Sequence, residues 1–285
     1  GYIDAAGRTV IGLVYEDAAS FSEGLAAVSA GGKYGFIDKT GKLAVPARYE
    51  YVYGFSEGVA LVRVDKKWEY IDRSGKEITA AEYDGGYSFT ADGLALVHKD
   101  GKWGYIDKSG KVVVPLEYER GMSFSEGLAA VKQGGKWGVI DTAGRTVAAA
   151  AYETVGAFKD GLARVCREGK WGYIDATGKE AVAPQYESAG SFSEGLAAVK
   201  QGGRWGYIDA AGKEVAAARY QSAGSFSEGL ASVRSGGKYG YIDAAGKEVA
   251  APAYDHGMDY SQGLAAVEKD GKWGYIDKSG RGVVP

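Results

Sequence analysis

Short runs of apolar residues alternate with single polar or glycine positions throughout the chain, and glycine closes each run. In the stretch from Leu196 to Ala217 the pattern predicts three strands, Leu196 to Lys200, Arg204 to Asp209 and Lys213 to Ala217. Gly202-Gly203 and Ala210-Ala211-Gly212 supply the turns between them. In the second turn, Asp209 is placed to accept hydrogen bonds from the turn backbone, and Gly212 to take a positive φ. A connector from Tyr220 to Gly229 leads to the next set. A period of two puts Trp205 and Tyr207 on one face of their strand and Gly206 and Ile208 on the other.

The same set recurs along the whole chain. A basic residue precedes the aromatic at Lys33, Lys67, Lys102, Lys136, Lys170, Arg204, Lys238 and Lys272. An aromatic followed by a Ser-Glu-Gly-like turn begins at Phe21, Phe55, Phe89, Phe124, Phe158, Phe192, Phe226 and Tyr260. Both markers keep one phase, with a spacing of about 34 residues and one extra residue in Thr90-Ala91-Asp92, a loop where an insertion costs little. The second position of the first strand is alanine in every copy, from Ala26 to Ala265, and shares its face with valine, from Val28 to Val267. Such small residues imply that a backbone or an aromatic ring packs closely there. The third position varies (Leu61, Arg164, Ser232), so the opposite face is expected to be partly open. Glu69 stands where other copies have glycine, so that position does not require positive φ; close packing by a neighbouring side chain is the expected reason.

Lys-Trp-Gly-Tyr-Ile-Asp, the Gly-Lys turn and Phe-Ser-Glu-Gly-Leu-Ala together closely resemble the WG-repeat, or KWG-repeat, family of bacterial proteins. The likeness spans the chain. Local departures are Tyr34 and Tyr239 for Trp, Val139 for the second aromatic and Gln262 for the connector acid. The resemblance implies a β-rich repeat array found in bacterial, often multidomain, proteins with no established catalytic activity, and it brings no active residues with it. The expected organisation is one array over residues 1–285, eight full repeats plus a duplicated terminal hairpin. Gly1-Tyr2-Ile3-Asp4 and Gly274-Tyr275-Ile276-Asp277 are equivalent, and a closed ring has room for only one of them. An open, superhelical solenoid is therefore the expected arrangement, with a closed eight-bladed β-propeller as the alternative.

Composition narrows function mostly by exclusion. The 46 glycines and the 12% aromatic share suit many tight turns between short strands. A net charge of −3 gives no electrostatic case for nucleic acid, and no polybasic run marks a membrane surface. No apolar run reaches the roughly 18 residues of a membrane helix. The chain begins at Gly1 within a repeat, so a targeting signal is either absent or removed and the compartment is open. Cys166 occupies the position of Lys200 one repeat later, which predicts a partly exposed, incidental thiol. His98 and His256 have no Cys or His neighbours at metal spacing. No phosphate loop or nucleophile elbow is present, so neither a catalytic residue nor a cofactor or metal site is expected.

The repeated residues each allow a sharper reading and a plainer one. Trp68, Trp103, Trp137, Trp171, Trp205 and Trp273, with Tyr34 and Tyr239, read as repeat anchors in the core, or else as an aromatic row stacking on sugars. The hairpin aspartates read as turn caps, because one carboxylate per turn cannot hold calcium, which needs six to eight oxygens. The connector acids (Glu23, Glu57, Asp92, Glu126, Asp160, Glu194, Glu228) read as turn features and not as catalytic pairs. The basic residues before each Trp read as a solvated edge that discourages strand pairing, against an anionic-polymer ladder. Variation is concentrated between the connector Tyr and Phe, where Tyr51, Tyr53, Tyr87, Arg120, Met122, His256 and Met258 form the candidate binding surface. The expected function is a non-catalytic scaffold presenting a protein-interaction surface; the alternative is binding of a glycan or cell-envelope polymer.

Overall fold

The computed structural model describes residues 1–284, and the chain is all-β, with no helix among the described residues. Its contacts divide into two compact units, one of Gly1–Gly135 with Ile140–Thr146, the other of Lys136–Val139 with the chain from Val147 onward. Within each, the repeat is an antiparallel sheet, and the copy around Trp205 shows how it is built. The three long strands are Leu196–Gln201, Arg204–Asp209 and Glu214–Tyr220. A fourth, two-residue lead strand, Ser188–Ala189, comes from what the sequence left as connector and pairs Ser188 with Lys200 and Ala189 with Val199. Two residues are too few to show a period, which is why the pattern did not reveal it.

Local chemistry sets each turn. Gly202 and Gly203 have φ of 57° and 73°, the double left-handed turn that matches strand twist, and Asp65 and Lys66 make the same turn with side chains, at 47° and 67°. At the second hairpin Asp209 Oδ1 accepts the amides of Ala211 and Lys213 at 3.0 and 2.9 Å, and Gly212 has φ 77°, as expected. Gly206 serves another purpose. A Cβ there would lie 2.5 Å from the Ala216 carbonyl oxygen and 2.7 Å from the Ala218 amide nitrogen. The third strand crosses against this point, so a neighbouring backbone, and not the side chain expected from sequence, demands glycine.

Successive sheets pack face to face within each unit. Ala231, Val233 and Ile242 of one sheet meet Leu196, Ala198, Tyr207, Ala216 and Tyr220 of the sheet before. In the other unit Ala60, Val62 and Ile71 meet Leu25, Phe36, Val45 and Tyr49 in the same way. The alanines are therefore small because aromatic rings lie on them. The opposite face is not open: Leu61, Ala198 and Ser232 at the variable third position are buried against the following sheet, and Arg164 and Ala266 are half-buried. The central tyrosine also bonds across the gap. Tyr207 Oη donates to the Gly224 carbonyl at 2.7 Å, as Tyr70 does to Tyr87 and Tyr105 to Met122. Burial pushes these phenols well above the usual tyrosine pKa.

The Phe-Ser-Glu-Gly segment ties one repeat to the next. Ser193 Oγ donates to the Phe226 carbonyl at 2.9 Å, and the Glu194 carboxylate accepts the amides of Glu228 and Gly229 at 2.7 and 2.8 Å. Ser22 and Glu23 repeat the pattern on Phe55, Glu57 and Gly58. Glu23, Asp92, Asp160, Glu194 and Glu228 are turn features, as expected, but the turn that each of these five caps belongs to the following copy.

Candidate binding surface

All seven candidate residues fall on two register positions. Tyr51, Arg120 and His256 are the first residues of lead strands (Tyr51–Val52, Arg120–Gly121, His256–Gly257). Tyr53, Tyr87, Met122 and Met258 follow directly after a lead strand. Pairing sets what lies beside them. Tyr51 pairs with Arg63, and Arg63 pairs with Trp68, so one transverse row carries all three side chains. The matching rows are Gly85, His98 and Trp103 in the next copy, and His256, Glu268 and Trp273 in the last.

The rows expose rings. Tyr51 is 47% and Tyr53 45% exposed, and Tyr87 and Met258 are exposed to 53% and 58%. Arg120 and His256 are also exposed, while Met122 is half-buried. Tyr51 lies 5.4 Å from Tyr53, 6.0 Å from Trp68 and 6.1 Å from Tyr34, centroid to centroid. Tyr87 lies 6.1 Å from Trp103. In the other unit His256 stacks between Tyr239 and Trp273 at 6.2 and 6.4 Å. Trp68, Trp103, Trp137, Trp171, Trp205, Tyr34 and Tyr239 are half-buried and Trp273 is 49% exposed, which corrects the expectation that these anchors are core. The core aromatic is the tyrosine two residues on. Alternation assigns a side chain to a face but not to its depth, and the Trp is only the second residue of its strand, beside the hairpin turn.

Two members of these rows were not singled out from sequence. Arg63 sits over Trp68 at 5.9 Å, and His98 stacks on Trp103 at 4.6 Å with 26° between planes. The signal for both was present, because a two-residue turn sets His98 directly opposite Trp103. Charges at the rim are largely offset. Arg63 lies 3.7 Å from Glu50, and Lys67 pairs with Asp84 as Lys238 does with Asp255. Those lysines hold the Asp84 and Asp255 carboxyls below the usual range. Tyr34 Oη donates to Asp17 at 2.9 Å, and that carboxylate raises the phenol's pKa.

The remaining candidates have structural roles. Cys166 is buried and not partly exposed as expected: it pairs with Thr154 of the lead strand, and its Sγ lies 3.5 Å from Glu153; burial and then that carboxylate raise the thiol's pKa. No group of three or more His, Cys, Asp or Glu able to hold a metal occurs among the described residues. A groove of about 260 Å³ is lined by Tyr254 of the preceding sheet and by Val267, Trp273, Gly274 and Ile276 of the last one.

The model of the WG-containing repeat matches residues 1–34, 34–68, 70–103, 103–137, 137–171, 171–205, 205–239 and 239–273. No curated protein matches the chain. Among solved structures, the crystal structure of a eukaryotic initiation factor is similar at 12% identity and a TM-score of 0.55, over 94% of this chain and 86% of that one. Hsv2 of Kluyveromyces lactis is 7% identical with a TM-score of 0.38, over 90% and 94% of the two chains. PorZ of Porphyromonas gingivalis is 10% identical with a TM-score of 0.34, over 92% of this chain and 45% of its own. The likeness to the initiation factor is one of fold alone.

Proposed function

This chain belongs to the WG-containing repeat family, and from that premise we propose that it is a non-catalytic repeat scaffold whose lead-strand residues form a protein-docking surface. The observation that carries the reading is where variation falls. Packing positions keep alanine, valine, isoleucine and tyrosine from copy to copy, whereas the first lead-strand position runs Asp17, Tyr51, Gly85, Arg120, Thr154, Ser188, Ser222 and His256. Tyr51 and His256 stand in rows that end on Trp68 and Trp273. Diversified side chains on a fixed frame suit protein recognition, in which a few aromatic and arginine residues dominate affinity. Glycan binding is the second reading, favoured by one aromatic per copy at the same register. No metal, cofactor or nucleic acid enters either reading.

A glycan array run beside protein capture separates the two. Replacing Tyr51, Tyr53 and Arg120 with Ala removes exposed side chains, so stability should move by about 0.5 kcal/mol or less per site while capture of the partner is lost. Glycan signals abolished by Trp205→Ala, with capture indifferent to the three changes, would reverse the assignment.

A further inference from the structure

We propose that Tyr34, Tyr51, Tyr53 and Trp68 dock a proline-rich extended peptide whose flanking basic residue pairs with Asp17. The partner class rests on the protein-docking reading above and goes further than it. Ring angles are the first ground. Tyr51 meets Tyr53 at 69° and Trp68 at 76°, and Tyr34 at 55°. Tyr53 and Trp68 lie 5.6 Å apart at a shallower 34°, and Tyr51, steep to both, sets furrows between ring edges. A pyranose stacks on a flat ring face, whereas a puckered pyrrolidine fits a furrow between aromatic edges.

Hydrogen-bonding capacity points the same way. The hydroxyls of Tyr51 and Tyr53 and the indole N–H of Trp68 join none of the hydrogen bonds among the described residues, so each is free to donate. A polyproline helix leaves its backbone carbonyls unpaired, and proline brings no N–H that needs an acceptor. Charge supplies the polarity. Arg63 is offset by Glu50 and Lys67 by Asp84, so the middle of the patch is neutral. At its Tyr34 end, Asp17 accepts the Tyr34 hydroxyl and the Ala18 amide and has no cation within ion-pair distance among the described residues. A basic residue flanking the prolines would complete it. The rings stand on paired strands, so little side-chain freedom is lost on binding.

The test titrates the full chain with fluorescein-labelled Arg-Ala-Pro-Pro-Leu-Pro-Pro-Leu-Pro, with the same peptide carrying Ala for Arg, and with chitohexaose, reading anisotropy or calorimetry. The arginine peptide should bind saturably, and Tyr51→Ser and Tyr53→Ser should each weaken it roughly tenfold with unchanged melting curves. Asp17→Asn should weaken the arginine peptide several-fold and leave the alanine peptide unaffected. No saturable peptide binding up to about 1 mM, equal binding to the Tyr51→Ser/Tyr53→Ser protein, or chitohexaose binding lost in that protein overturns the proposal. A protein captured through Tyr51 and Tyr53 that the peptide cannot displace overturns the proline assignment alone. Capture that survives both substitutions overturns the docking reading as well.

Discussion

At position 69 a glutamate stands where Gly35, Gly104, Gly172, Gly206 and Gly240 let the third strand approach, each with strand backbone within 2.6 Å of where a Cβ would be. The consequence is local. That sheet has three strands, and its third segment is reduced to isolated bridges from Trp68 to Tyr83 and from Ile71 to Glu77. Glu69 itself is only 4% exposed, and burial, then Glu77, raise its carboxyl pKa while Arg48 lowers it. Glu69→Gly should therefore let residues 77–83 pair as a full strand. Glycine adds chain entropy worth about 0.5–1 kcal/mol, but the change removes a carboxylate whose charged form burial disfavours and restores backbone hydrogen bonds worth about 1 kcal/mol each, so the melting temperature should rise. The pH dependence follows from the raised pKa. The unfolded chain gives up this proton first as pH rises, so the penalty appears above the ordinary glutamate pKa and is absent below it. The gain from Glu69→Gly should shrink in acid. Hydrogen exchange that stays fast across 77–83 in the variant, with no rise in melting temperature, would sink this account.

At the scale of the element, strands and turns were legible because their determinants are local. A period of two, a two-residue turn and an aspartate capping an amide two residues on all lie within one hairpin. The link between repeats was not legible. Glu194 and the Glu228 amide it holds are 34 residues apart, and in a repeating sequence the partner within the copy and the partner in the next copy look identical. The binding rows were half legible for a similar reason: variation marked Tyr51 and Tyr53, but only pairing across the lead strand brings them beside Trp68 and Arg63. A measurement can separate the two partners that sequence confuses. Glu194→Ala removes the acceptor for Glu228 and Gly229, and Ser193→Ala the donor to Phe226. Each should cost about 1 kcal/mol, and hydrogen exchange should quicken at residues 226–230, not at 193–196. Quickening confined to 193–196 would return both side chains to their own turn.

Over the whole molecule these caps add up to a pH response. Hairpin aspartates Asp4, Asp38, Asp72, Asp107, Asp141, Asp175 and Asp277 have lowered pKa values. The leading cause is a hydroxyl two residues on, as with Thr40 and Ser74, or the Arg8 and Arg145 amides at Asp4 and Asp141. Glu16, Asp84, Glu153, Glu228 and Asp255 are lowered as well. A carboxyl whose folded pKa is depressed contributes stability that is present above its unfolded pKa and lost as pH falls through the folded one. Glu69 pulls the opposite way, but it is one group against many spread through every repeat. Most of these groups are exposed and individually worth little, so the effect comes from number. Acid also leaves 34 basic residues without carboxylates to offset them, and their repulsion adds to the loss. The melting temperature should stay nearly flat from neutral pH down to about 4, the ordinary carboxylate range, and then fall steeply. Thermal melts at constant ionic strength check this, and a melting temperature that holds to about pH 2.5, below every ordinary carboxylate, would show that the caps organise the turns without stabilising them.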